Sequence, residues 1–181
     1  MSTAVASDAE VELFVSTTKA FLDREAPLTR VRELHELGIP FERDWWRRGA
    51  ALGWAALLVP AQLGGGSVSG DGVSELAMIA ELFGRCAAPG PLLPVSAVAA
   101  ALAESSTATA HADTIAALVD GTCVAAWAVD EPGARFGDAP TTRATTTPEG
   151  FRIDGVKDRV EAGNTADVFL VMARADDGCR Q

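Results

Sequence analysis

Few residues of this chain carry chemistry on their own, and they are scattered. Cys86, Cys123 and Cys179 are its thiols, and His35 and His111 are its only side chains that ordinarily titrate near neutrality. None falls into a CxxC, HExxH or EF-hand spacing, so no metal centre is expected. Odd in number and far apart, the cysteines read as buried or reduced thiols of a cytosolic protein. The tract Gly64-Gly65-Gly66 meets neither the GxGxxG spacing nor that of a P-loop, since no Gly-Lys-Ser/Thr follows it. No GxSxG elbow is present. Trp45-Trp46 followed by Arg47-Arg48 reads either as a stacking patch or, more plainly, as a half-buried helix with a solvated edge. His111 stands beside a helix start and reads as a surface residue, not a base.

The elements that would position any site divide the chain in two. Ser7-Asp8-Ala9-Glu10 has the form of a capping box. Behind it Val11, Phe14, Val15, Phe21 and Leu22 recur at helical spacing, which predicts a helix over 8–25, ended near Pro27. Further helices are expected from about Arg43 to Leu52, over 72–83 with Val73, Leu76, Ala80 and Phe83 on one face and Gly84 as its stop, over 95–103, and over about 110–119. The 95–103 helix is apolar all round, which predicts burial. Residues 1–121 thus read as an all-helical domain. From 122 to 181 the pattern is β: an apolar run over 123–129 closed by Pro132, Phe151 and Ile153 alternating with polar residues, and a strand over 168–173. Asp154-Gly155 is a two-residue hairpin signal. The fold class expected is α+β, with helices followed by the first strands of an antiparallel, barrel-like β domain. Such a sheet leaves open edges, so either the chain is a fragment or another polypeptide completes it.

Composition narrows the function classes. The chain has 181 residues, 48% of them hydrophobic, and a formal net charge of -10. That excludes disorder. Neither half carries an excess of basic side chains, which argues against nucleic acid. The first residues lack a leader's basic start and apolar core, and no apolar run approaches a membrane span. A cytoplasmic protein without membrane contact is expected.

The order of the pieces is more telling than any one of them. Leu52-Gly53-Trp54 leads to Leu58-Val59-Pro60 and Leu63-Gly64-Gly65-Gly66. Glu81-Leu82-Phe83-Gly84-Arg85 and Pro89-Gly90-Pro91-Leu92-Leu93 follow. Then come Asp120-Gly121, the run 123–129, Asp130-Glu131-Pro132-Gly133-Ala134, Gly150-Phe151-Arg152-Ile153-Asp154-Gly155-Val156-Lys157, and Ala166-Asp167-Val168-Phe169-Leu170-Val171. In this succession the chain resembles the N-terminal helical domain and the start of the middle β domain of the acyl-CoA dehydrogenase family. The resemblance implies an FAD enzyme that oxidises the Cα–Cβ bond of an acyl-CoA thioester and passes electrons to an electron-transfer flavoprotein. The family's glutamate base lies in a C-terminal helical domain beyond these residues, so no catalytic residue is named.

The same resemblance marks Val129, Asp130, Arg159 and Glu161 as the cofactor-binding positions, and there the chain departs from the pattern. The family's aliphatic-Thr-Glu-Pro motif is Val129-Asp130-Glu131-Pro132 here. Its Ala-Gly-Ser-Asp stretch has become Ala134-Arg135-Phe136-Gly137-Asp138. Its Lys-x-Trp-Ile-Thr is Lys157-Asp158-Arg159-Val160-Glu161, so both flavin-facing side chains are replaced. Two apart on an expected strand, Arg159 and Glu161 would point to the same side. A carboxylate there opposes the negative charge of reduced flavin; an Arg159–Glu161 pair would instead neutralise itself; an ordinary exposed strand with alternating charge remains the plain alternative. The functional expectation is an acyl-CoA dehydrogenase-type subunit with a degenerate flavin site, FAD not necessarily retained, beside a homologous, competent subunit. The alternative is a non-catalytic structural partner or an inactive fragment.

Overall fold

The computed structural model describes residues 8–135, 137–175 and, for their backbone, 178–180. The capping-box residue Ser7, Phe136 and the Cys179 side chain lie outside the described residues. Helix α1 (Asp8–Glu25) carries Asp8 and Glu10 in its first turn, where carboxylates complement the helix dipole, and buries Thr18, Phe21 and Leu22. Pro27 does not close the helical region. It is extended, with φ -61° and ψ 149°, and caps a second helix, α2 (Leu28–Glu36), that the proline had masked in the sequence. A proline just outside a helix's first residue is compatible with starting one, because it removes a donor that would be orphaned anyway.

Helix α3 (Arg43–Ala50) buries Trp45 and Trp46 completely and leaves Arg47 and Arg48 in solvent, so the plain reading of that motif holds. Trp54 is the hub of the core: Phe83 and Phe21 meet it edge-on at centroid distances of 4.9 and 5.4 Å, and Trp45 and Trp46 tilt against it at 5.9 and 6.2 Å. Its indole N–H donates to Thr18 Oγ1 at 3.0 Å inside this cluster. Gly49 is required by the same packing, since a Cβ there would lie 1.9 Å from the Trp54 ring.

Helix α4 (Gly72–Cys86) runs past Gly84 and stops at Ala87, whose φ of 48° makes it a left-handed cap. Its buried face is Glu75, Ile79 and Phe83, while Val73 is 70% exposed, contrary to the face expected. Glu75 is 1% exposed and fully engaged. It accepts from Val68 N at 2.9 Å and from the backbone and hydroxyl of Ser69, and so ties the glycine-rich loop to the helix. Helix α5 (Leu92–Glu104) is buried along Leu92, Val95, Val98 and Ala99 and packs on α6 (Ala112–Val119) and on the first strand.

The β region contains β1 (Ala125–Ala128), β2 (Arg143–Thr147), β3 (Gly150–Asp154), β4 (Val168–Val171), β5 (Ala173–Ala175) and β6 (Gly178–Arg180). The fold class is α+β, helices followed by strands in small sheets, with no closed barrel among the described residues. Two details differ from expectation. First, β1 pairs with β4 in parallel, Ala125 opposite Val168, because the connection between them is a long crossover that contains the β2–β3 hairpin. β2 and β3 pair antiparallel, as do β5 and β6, in a second sheet of order β3-β2-β5-β6. Second, the hairpin turn is Pro148-Glu149, with Gly150 at φ 133°, and not Asp154-Gly155. Gly155 is a glycine for another reason: a Cβ there would come within 2.4 Å of Thr142 Oγ1. At the junction with the helices, Arg43 binds both carboxylate oxygens of Asp167, which also accepts from Val124 N at 2.8 Å.

Candidate functional site

The four positions singled out in the sequence converge on one cleft. Its volume is about 460 Å³. Leu58 from the turn segment after α3, Leu76 from α4, and Leu93, Pro94 and Ala97 from α5 form an apolar wall. Trp127, Val129 and Asp130, at and just beyond the end of β1, form the wall opposite, and Asp158, Arg159 and Glu161 form the lip. Behind Asp130 a second cleft of about 520 Å³ follows the loop through Ala134, Arg135, Gly137 and Asp138 to Met172.

Arg159 and Glu161 reach the cleft by a different route from the one expected. Residues 155–165 are not a strand: 155–160 are irregular and 161–165 are turns, and Arg159 and Ala162 hold left-handed φ values of 48° and 59°. Arg159 does not pair with Glu161. Its guanidinium lies 3.8 Å from Asp130 and 3.8 Å from Asp158, all three being half-exposed or more. At that exposure such contacts contribute about 0–1 kcal/mol, so they bias the side chain without locking it. The Glu161 side chain has no hydrogen bond or ion pair among the described residues. Three carboxylates against one guanidinium leave the cleft with two net negative charges.

Beneath this lip lies a buried polar knot. Lys157 Nζ donates to the Val129 carbonyl at 3.0 Å and to Glu131 Oε1 at 2.9 Å, their side chains being 9% and 5% exposed. Glu131 also accepts from Thr141 N at 2.7 Å, from the Thr141 hydroxyl, and from Thr142 N at 2.8 Å. The hydrogen bonds from Thr141 and Thr142, with the Lys157 ammonium, hold the Glu131 carboxyl well below the usual carboxylate range. Asp167 is likewise held low, chiefly by Arg43. Partial burial pushes the Cys123 thiol up from its ordinary value.

Sequence reasoning did not single out Trp127 or Asp158. Trp127 is 44% exposed between the buried Ala126 and Ala128, so strand alternation carried the signal. Asp158 had no periodic signal; it lies at the cleft because its N–H donates to the Asp130 carbonyl at 2.9 Å. His35 is exposed and His111 half-buried, and neither lines the cleft. Among the described residues no cluster of His, Cys, Asp and Glu is placed to hold a metal ion, and no helix is long and apolar enough to cross a membrane.

A cleft between helical and β elements, placed at the end of the first strand, defines a class that comparison with known proteins makes explicit. The family described as acyl-CoA dehydrogenase, N-terminal domain, matches residues 8–122. The chain belongs to the acyl-CoA dehydrogenase family. It is 32% identical over 148 residues to the acyl-CoA dehydrogenase FadE27 of Mycobacterium tuberculosis (strain ATCC 25618 / H37Rv), a match covering 81% of this chain and 38% of that protein. A variant of the Tcur3481-Tcur3483 steroid ACAD superposes with a TM-score of 0.83 at 29% identity, over 94% of this chain and 46% of that one. The ChsE4-ChsE5 complex from Mycobacterium tuberculosis gives 0.80 at 26% identity, over 98% and 47%. The chain therefore spans less than half the length of these relatives.

Proposed function

We propose that the chain is the N-terminal part of a cytoplasmic acyl-CoA dehydrogenase-type subunit whose flavin site is degenerate, acting beside a homologous subunit that holds FAD competently. In this reading 1–121 is the helical domain and 122–181 the start of the middle β domain. The competent site would dehydrogenate the α,β bond of a fatty or sterol side-chain acyl-CoA, with an electron-transfer flavoprotein as acceptor. The observation that carries the reading is the cleft's charge: Asp130, Arg159 and Glu161, at the positions where the family's resemblance puts threonine, tryptophan and threonine, share a cleft with Asp158 and leave it doubly negative. The apolar wall suits a planar ring, but the charge does not fit a flavin that becomes anionic on reduction. No hydride-transfer step is therefore assigned to this chain's own cleft. The names of two structural relatives, ChsE4-ChsE5 and Tcur3481-Tcur3483, each describe paired proteins, which supports a homologous partner.

Native mass spectrometry of the protein from its own cells tests this. Fewer FAD molecules than protomers, with a second polypeptide present, is the expected result. An FAD for every protomer, this chain's copies included, refutes the degeneracy. In the same assembly, Arg159→Trp combined with Glu161→Thr should raise bound flavin; no gain counts against the roles given to these two positions.

A further inference from the structure

Glu131 and Lys157 keep their place in the family pattern while the side chains around them change, and the flavin reading gives them no task. We propose that they are positioning residues, a brace that sets the separation and facing of the two lips of the cleft. The proposal rests on the reading of that cleft as the ligand site. Lys157 Nζ grips Val129, one residue before Asp130, and Glu131, one residue after it. Asp158, the residue after Lys157, then donates its N–H to the Asp130 carbonyl at 2.9 Å. Three bonds thus tie the strand end to the 157–161 segment within one residue of Asp130. Glu131, drawn inward onto Lys157, is buried, while Asp130 beside it is exposed and lines the cleft.

The brace extends to a third segment. Glu131 also takes the N–H groups of Thr141 and Thr142, which follow the loop that lines the second cleft. Gly155 completes the fit, since its missing side chain lets the 155–158 segment lie against Thr142. A buried pair of this kind adds little net stability over an apolar substitute, yet removing one partner leaves an uncompensated charge and lowers stability, so the brace is tested by a readout of geometry beside the melting temperature. The pair is neutral, so it shapes the cleft without changing the cleft's charge.

Trp127 supplies a readout that needs no bound flavin. It is the half-exposed indole of both clefts, at 44%, while Trp45, Trp46 and Trp54 are 0–4% exposed. Acrylamide quenching of the 181-residue chain, with the Trp127→Phe chain subtracted, reports its accessibility. Lys157→Met should keep the helical circular dichroism and raise that quenching; since the indole is already 44% exposed, full opening limits the gain to about twofold. Glu131→Gln retains an acceptor oxygen and should give a smaller rise, and it carries the test should Lys157→Met fail to fold. In the complete assembly both variants should leave the flavin held by the homologous subunit unchanged. Unchanged quenching with a lowered melting temperature overturns the brace and leaves a merely structural pair. A rise in quenching with loss of bound flavin upholds the brace and overturns the degenerate site, because this cleft then holds flavin.

Discussion

The double negative charge of the cleft has a direct optical consequence at Trp127. A unit charge one Debye length away, about 8 Å at physiological ionic strength, acts on a monovalent ion in water with about 0.2 kcal/mol after screening. Two such charges enrich a cation at the indole about twofold and deplete an anion by the same factor. Caesium should therefore quench Trp127 about fourfold better than iodide, each normalised to a free tryptophan amide at constant ionic strength. Glu161→Gln removes one charge, from a side chain that has no counter-ion among the described residues, and should bring the ratio down to about twofold. The measurement is a pair of Stern–Volmer titrations on the wild-type and Glu161→Gln chains, with the Trp127→Phe chain as blank. Equal quenching by the two ions in the wild-type chain, or a ratio that Glu161→Gln leaves unmoved, refutes the electrostatic reasoning behind the proposed degeneracy.

Other consequences concern the frame. Thr18→Val removes the acceptor of the buried Trp54 N–H and should cost about 1–2 kcal/mol after the gain from the added methyl, seen as a lower urea midpoint with an unchanged slope. Gly49→Ala drives a methyl into Trp54 and should lower stability by about 1–3 kcal/mol or more; an unshifted melting temperature would show that the aromatic cluster yields. Glu131 and Asp167 have folded-state carboxyls held below their unfolded values, so the stability they supply is present above about pH 4–5 and is lost as the pH falls through the folded values. Urea midpoints from pH 7 down to pH 3 should therefore fall more steeply for the wild-type chain than for Glu131→Gln, and parallel curves would contradict this.

The helices were legible where apolar periodicity was uninterrupted. The heptad-like recurrence behind Asp8 and the apolar run around Val95 both became helices. What failed was punctuation. Pro27 marks the end of α1 at Glu25 as expected but also starts the unexpected α2, and Gly84 reads as a stop but sits within α4, because a proline's missing donor and a glycine's missing side chain permit more than one local outcome. Asp154-Gly155 carries the dipeptide of a tight turn, yet the chain turns at Pro148-Glu149; Gly155 answers to a tertiary contact with Thr142 that no local window contains. The cleft positions were legible only through the family resemblance, and even so their pairing was not. Arg159 turned toward Asp130 and Asp158, on backbone that leaves the strand conformation, and a two-residue spacing cannot register that bend.

The parallel pairing of β1 with β4 also has a temporal side. Val171, the end of β4, comes 43 residues after Ala128, the end of β1. At about 5–20 residues per second a ribosome takes some 2–9 seconds to cover them. During that interval the apolar segment Val124–Ala128 has been synthesised without its sheet partner. Helix α5, made earlier and already packed along one side of that segment in the finished fold, is the surface on which it can wait. Substitutions on the β1-facing side of α5 should therefore reveal themselves first as a loss of yield during synthesis.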